Sequence, residues 1–216
     1  KYNKSLYNPS MDNEEVYGKE LERITAPELI ENGFILPPKF VIKELEMTES
    51  GRTPVAKECE HLVETIDSSS SDKILICARR TAQIVNLVED TSFCSELATR
   101  GYSWMYITSK TGGFVNGVKV NREEFFDKLS NWGKEKDKRF VVLHHSILSE
   151  GINVPGLEAA LFMRNMNTTA ISQTIGRVIR TGDSNKKFGL VAIPVYDRVG
   201  ISTAKKVTSM VETILA

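Results

Sequence analysis

Residues 73–90 read KILICARRTAQIVNLVED. Lys73–Ala78 is a short apolar run of the buried-strand type, and Thr81–Glu89 continues as a helix with Ile84, Leu87 and Val88 on its inner side. A strand running straight into a helix is half of a βαβ unit, and the rest of the chain repeats the pattern. Tyr102–Thr108 (YSWMYIT), Arg139–His144 (RFVVLH), Ala159–Met163 (AALFM) and Phe188–Val195 (FGLVAIPV) read as further strands. Asn121, with Glu124 three residues on, opens a helix through about Lys136. Thr169–Ile179 is a second helix, stopped near Gly182, and Ile201–Leu215 closes the chain. Upstream, Ile24–Asn32 suits a short helix with Pro27 early and Gly33 as its stop, Lys39–Met47 alternates like a strand, and Thr53–Pro54 starts a helix through about Asp67. The alternation predicts an α/β fold, an open parallel sheet with helices on both faces. One stretch departs from it. Asn116–Gly117 within FVNGVKV, 114–120, signals a hairpin, which is either a plain surface feature or a protrusion that touches a nucleic-acid strand.

The chain has 216 residues, enough for one large domain or two small ones, with 41% hydrophobic and 26% charged residues. That composition excludes disorder and fibrous repeats. Lys plus Arg is 28 and Asp plus Glu is 28, a formal net charge of zero, which argues against a chain that grips nucleic acid by bulk charge. No apolar run reaches the roughly 20 residues of a membrane helix, and no signal-peptide pattern is present. Cys59, Cys77 and Cys94 are too few and too widely spaced for a zinc site or a disulfide framework, and no ligand stands at metal spacing near His61, His144 or His145. The expectation is a metal-free, reduced, intracellular protein, cytoplasmic or nucleoid-associated. The first residue is Lys1, not Met, and the expectation is a fragment of a longer protein.

Chemistry concentrates in Gln173-Thr-Ile-Gly-Arg177-Val-Ile-Arg180. At about 100° per residue, Ile171, Ile175, Val178 and Ile179 share one side of a helix, and Gln173, Arg177 and Arg180 fall at i, i+4 and i+7 roughly opposite. The helix is therefore expected to bury an aliphatic stripe and aim an amide and two guanidiniums away from the core. Gly176 beside them lets another surface approach. Two forked, permanent cations aimed together suit a triphosphate, although arginine pairs on a solvated face are common. Just upstream, VVLHHSILSEGINVPGLEAALF, 141–162, leads from a strand into a loop with Gly151, Pro155 and Gly156. Ligands of open parallel sheets bind beyond the carboxyl ends of strands, and this loop leaves such an end. Gly151 permits close backbone approach, and Asn153 offers a donor and an acceptor. A plain crossover loop would read the same way.

Together these segments resemble the second RecA-like domain of superfamily 2 helicases and translocases. SEGINVPG resembles that family's motif V, QTIGRVIR its motif VI, and ILICARRTAQIVNLV, 74–88, its motif IV. VYGKELERITAPELIENGFILPPKF, 16–40, resembles the connector that enters this domain in restriction-subunit and phage UvsW-like DNA translocases. The resemblance runs from about Val16 to Asp197 and implies a tail and inter-domain connector over 1–50 and the RecA-like domain over 51–216. It implies that Arg177 and Arg180 reach across a cleft to the γ-phosphate, one as arginine finger, with Gln173 beside them. It implies that Gly151 and Asn153 face the nucleotide, and that His145, Ser146, Arg79 and Arg80 contact nucleic-acid phosphates. The family more often has Asp where Asn153 stands, and a Thr where His145 aligns, with Ser146 next to it. The sequence contains no G-x-x-x-x-G-K-[ST] loop and no magnesium-binding Asp-Glu pair after a strand. The resemblance assigns both to the first RecA-like domain, and so implies ATP and Mg2+ as cofactors of a longer protein, with this fragment inactive by itself and holding neither tightly.

The function expected is the C-terminal motor domain of an ATP-dependent DNA helicase or translocase, with DNA and the N-terminal RecA-like domain as partners and no membrane. RNA is the alternative substrate, and a non-hydrolysing nucleic-acid-binding RecA-like module the alternative class. A Rossmann-like small-molecule enzyme is disfavoured, because no G-x-G-x-x-G follows the strand at 73–78.

Overall fold

Each apolar run becomes a strand whose successive side chains enter opposite layers. The computed structural model describes residues 14, 18–19, 21–22, 24–44, 54–145, 154–165, 167–178, 180, 189–195 and 201–214. Its strands are β1 (Pro38–Glu44), β2 (Lys73–Cys77), β3 (Ser103–Thr108), β4 (Gly112–Val115), β5 (Val118–Val120), β6 (Phe140–His144), β7 (Ala159–Phe162) and β8 (Gly189–Val195). Its helices are α1 (Ala26–Glu31), α2 (Pro54–Ser69), α3 (Thr81–Glu89), α4 (Phe93–Thr99), α5 (Arg122–Lys134), α6 (Thr168–Val178) and α7 (Ile201–Ile214). The strands form one eight-stranded sheet in the order β1-β8-β7-β2-β6-β3-β4-β5. Every pairing from β1 to β3 is parallel, and only the β3-β4-β5 edge is antiparallel. The open, mainly parallel α/β sheet expected from the sequence is the fold observed.

The alternation is legible residue by residue. In β2, Leu75 and Cys77 enter a layer shared with Phe125 of α5, Ile171 and Ile175 of α6 and Val207 of α7. Ile74 and Ile76 enter the other layer, with Leu62 of α2, Ile84 of α3 and Leu97 of α4. Because both faces are covered, β2, β6 and β7 are buried along their whole length. The expected connector contributes directly to this sheet, since Pro38–Glu44 pairs in register with Gly189–Val195.

Local chemistry sets the ends. Thr25 caps α1 in a reciprocal box with Glu28, and Gly33 follows at φ +73°. Asn121 Oδ1 accepts from the Glu124 amide at 2.8 Å at the start of α5. At the far end of that helix the buried Lys73 ammonium donates to the carbonyls of Gly133 (2.8 Å) and Glu135 (2.6 Å), a cation at a helix C-terminus. Gly133 is required there, because a Cβ would lie 2.6 Å from the Pro155 carbonyl oxygen.

Two findings go beyond the sequence reading. Phe93–Thr99 is a helix that periodicity missed: it has only seven residues and buries just Phe93 and Leu97. The 114–120 hairpin is hydrogen-bonded along β3 and extends the sheet. Asn116 (φ 46°) and Gly117 (φ 84°) form its left-handed turn. Asn116 is pinned to Trp104, whose amide donates to its Oδ1 at 2.8 Å, and Trp104, Tyr106 and Phe114 stack in series.

Candidate nucleotide and nucleic-acid interface

The carboxyl ends of β7, β2 and β6, neighbours in the sheet, bring the chemistry-bearing segments together. The chain leaves these strands at Met163, Ala78 and His145. The Met163 amide donates to the Cys77 carbonyl at 3.0 Å, and the Ala78 amide to the His144 carbonyl at 2.8 Å. Beneath them Cys77 Sγ lies 3.2 Å from His144 Nε2, and both side chains are fully enclosed. Burial pushes the Cys77 thiol up to about 12, while Arg164 and Arg177 pull it the other way. Burial pushes His144 down to about 3, reinforced by the charges of Arg164, Arg177 and His145. His144 is therefore neutral, and two guanidiniums lie close enough to act on one buried thiol and one ring.

Arg177 corrects the expectation drawn from the helical wheel. It shares a side of α6 with Gln173, but only 9% of it is exposed, whereas Gln173 faces solvent; Arg180, expected on the same side of the helix, instead lies beyond the last helical residue, Val178, and is exposed. Arg177 lies on the edge of the stripe nearest Thr174 and Val178, both buried. There its side chain lies near enough to the β2 and β6 ends to act on Cys77 and His144. Burial lowers the pKa of Arg177, Arg180 lowers it further, and Cys77 opposes the change. A methyl group at Gly176 would meet no described atom within 4 Å, so nothing described in this chain demands a glycine there. Arg180 is fixed through its backbone, which forms an antiparallel bridge with Ile35 of the connector.

The loop after β2 is held from below. The Arg79 amide donates to Gln83 Oε1 at 2.7 Å, Gln83 Nε2 donates to Glu58 Oε2 at 2.8 Å, and Arg79 pairs with Glu58 at 3.7 Å. Arg79 is thus an exposed guanidinium leaning on a buried carboxylate. Arg80 is exposed at the N-cap of α3, and no side chain caps that helix. Such a terminus, with two arginines before it, suits an anion. His145 is half-buried, with Nδ1 3.2 Å from the Ala78 carbonyl oxygen. Of the sequence-derived site residues, Arg79, Arg80 and His145 lie on the loops leaving this end of the sheet, and Arg177 acts on its last residues, Cys77 and His144; Gln173 is exposed on α6, and Arg180 bridges to Ile35, ahead of the first residue of β1. Ser146, Gly151 and Asn153 lie outside the described residues. Sequence reasoning missed Glu58 and Gln83, whose partnership spans 25 residues and leaves no local signature. It also missed Arg164, a lone cation just past the apolar β7 run. Among the described residues no cluster of His, Cys, Asp or Glu could hold a metal, and no helix is long and apolar enough to cross a membrane.

Comparison with known proteins gives the family and the fold. A family model described as the helicase conserved C-terminal domain matches residues 57–182. No curated protein sequence matches. Among solved structures, the DNA-bound ATP-dependent Type ISP restriction-modification enzyme LlaBIII matches with a TM-score of 0.65 at 18% identity, covering 95% of this chain and 16% of that one. An HsdR-subunit fragment of a type I restriction enzyme from Vibrio vulnificus YJ016 matches with a TM-score of 0.65 at 14% identity, over 93% of this chain and 39% of that one. The C-terminal domain of the DEAD-box protein Dbp5 matches with a TM-score of 0.51 at 14% identity, over 83% and 85%. At these identities the likeness is one of fold. The chain spans well under half the length of the two restriction-enzyme chains.

Proposed function

Because this chain belongs to the helicase conserved C-terminal domain family, we propose that it acts as the second motor domain of an ATP-dependent DNA helicase or translocase. The observation that carries the reading is the arginine pair at and just beyond the end of α6: Arg177 desolvated in the last turn, Arg180 three residues on and exposed. Arg180 lowers the pKa of Arg177, so the two charges act on each other, and a guanidinium shielded from water acts more strongly on a phosphate than an exposed one. The donors present fit phosphate oxygens, and Mg2+ would be held by acidic residues of the other domain. Bound ATP supplies the phosphoanhydride whose cleavage drives such motors. Arg177 and Arg180 would stabilise the charge that develops on the transferred group, with Gln173 beside them and Gly151 and Asn153 toward the nucleotide. The open space at Gly176 suits the close approach of the first RecA-like domain.

Arg79, Arg80, His145 and Ser146 would hold backbone phosphates of one strand, since they sit on or beside loops leaving strand ends. DNA is favoured because the solved structure matched over 95% of this chain is bound to DNA. RNA is the second reading, favoured by the match to a DEAD-box domain over most of its own length. The site of action is then intracellular, wherever the nucleic acid lies.

The test uses the full-length protein. Arg180→Ala should lower kcat by about a thousandfold, the scale of an arginine finger, without moving the melting temperature, because the side chain is exposed. Arg177→Ala should lower kcat as far and also cost stability. Normal turnover in both variants would remove the pair from the chemistry.

A further inference from the structure

Arg164 belongs to none of the helicase-like motifs, yet its side chain lies beside His145 and acts on Cys77 and His144 at the strand ends. Its main chain is fixed from outside, where its carbonyl accepts from Thr203 Oγ1 of α7 at 3.1 Å. Its side chain turns back over the strand ends, with Nη1 3.5 Å from His145 Nδ1. Its Nε is buried and has no hydrogen-bond partner among the described residues. The Ala78 carbonyl can only accept, so His145 Nδ1 bonds to it at 3.2 Å only if that nitrogen carries the proton. A nitrogen that is donating cannot accept from Arg164. A half-buried guanidinium therefore meets a ring N–H where no described carboxylate pairs with it. The field of Arg177 reaches the same buried thiol and ring as that of Arg164. An unpaired buried donor on a cation is costly, and it persists at a site that an anion completes.

We infer that Arg164, with His145 beside it, holds a phosphate group at the carboxyl ends of β7, β2 and β6. A planar fork with a free Nε suits two oxygens of one phosphate. The chemistry is the same whether that phosphate belongs to a nucleotide or to a nucleic-acid backbone. The anion site rests on the contacts above, and only the source of the phosphate rests on the motor-domain reading.

The experiment uses the 216-residue chain with 15N label, following the arginine Nε–Hε resonances. The additions are inorganic phosphate, then ATP, then a short single-stranded oligodeoxynucleotide, for wild type, Arg164→Gln, Arg164→Lys and the control Arg122→Gln. One resonance, absent from both Arg164 variants, should shift with inorganic phosphate. If the phosphate belongs to a strand, Arg164→Gln should weaken oligonucleotide binding about tenfold and flatten the slope of log K against log salt by about 0.7. Arg164→Lys should keep the slope but lose part of the affinity, because a point charge replaces a fork. If it belongs to the nucleotide, the tenfold loss appears with ATP instead. Arg122→Gln should change neither. An Arg164 resonance that none of the three additions moves overturns the site, and this result needs no variant beyond the one that assigns the signal. If phosphate moves the resonance while normal turnover persists in full-length Arg177→Ala and Arg180→Ala, the anion site stands and the motor reading falls.

Discussion

The spacing of Gln173, Arg177 and Arg180 is readable in the sequence, but the burial of Arg177 is not. A helical wheel gives the side a residue takes, while the β2 and β6 ends that the Arg177 charge acts on, at Cys77 and His144, lie about 30 to 100 positions away. The same ends enclose His144, whose sequence context gives no hint of a neutral ring. Its pKa is depressed from 6.5 to about 3, so the folded state binds this proton less well than the unfolded chain does. The sign follows directly: its contribution is fully present above about pH 6.5 and is lost as pH falls toward about 3. A shift of that size corresponds to at most about 5 kcal/mol. Chemical denaturation between pH 7 and pH 4 should show stability falling through this window, and His144→Gln should flatten the fall. A wild-type curve that stays level below pH 6 would mean that water or a partner reaches the ring.

Most elements are legible because their signals are local. Asn116–Gly117 specifies a two-residue turn through backbone angles alone, and both residues take positive φ. Pro27 and Gly33 bracket the first helix in the sequence, and the structure adds the Thr25–Glu28 box at its start. Helix α4 escaped because a seven-residue helix shows one turn of periodicity and no more. The helical glycines divide in the same way, since nothing local separates Gly133 from Gly176. Gly133→Ala puts a methyl 2.6 Å from the Pro155 carbonyl oxygen, a backbone atom, and should destabilise the chain by about 1–3 kcal/mol in urea titration. Gly176→Ala meets open space inside a helix and should stabilise the chain by up to about 1 kcal/mol. In the full-length protein the same Gly176→Ala should slow ATP turnover, because a second domain would meet the added methyl. A variant that is more stable and equally active would leave Gly176 without a role in closure.

At the scale of the molecule, the layering could be read from the sequence and the strand order could not. Both faces of β2 are apolar in the sequence, which dictates two covering layers, but nothing in KILIC says that β6 and β7 flank it. The arrangement leaves the arginines on this chain without a phosphate-binding loop, so the purified 216-residue chain should show no ATP hydrolysis above background with or without DNA. Robust turnover in a phosphate-release assay would end the half-motor reading. The sheet also joins its first strand to its last: β1 pairs with β8 across about 150 residues. Closing a loop of that length costs chain entropy before any ladder bond forms, and long-range parallel pairing is intrinsically slow. During synthesis β1 therefore leaves the ribosome early and waits, with Val41 and Ile42 still exposed even in the finished fold. Folding of the edge becomes the last event, and the waiting strand is the stretch of this chain most open to mispairing before β8 arrives.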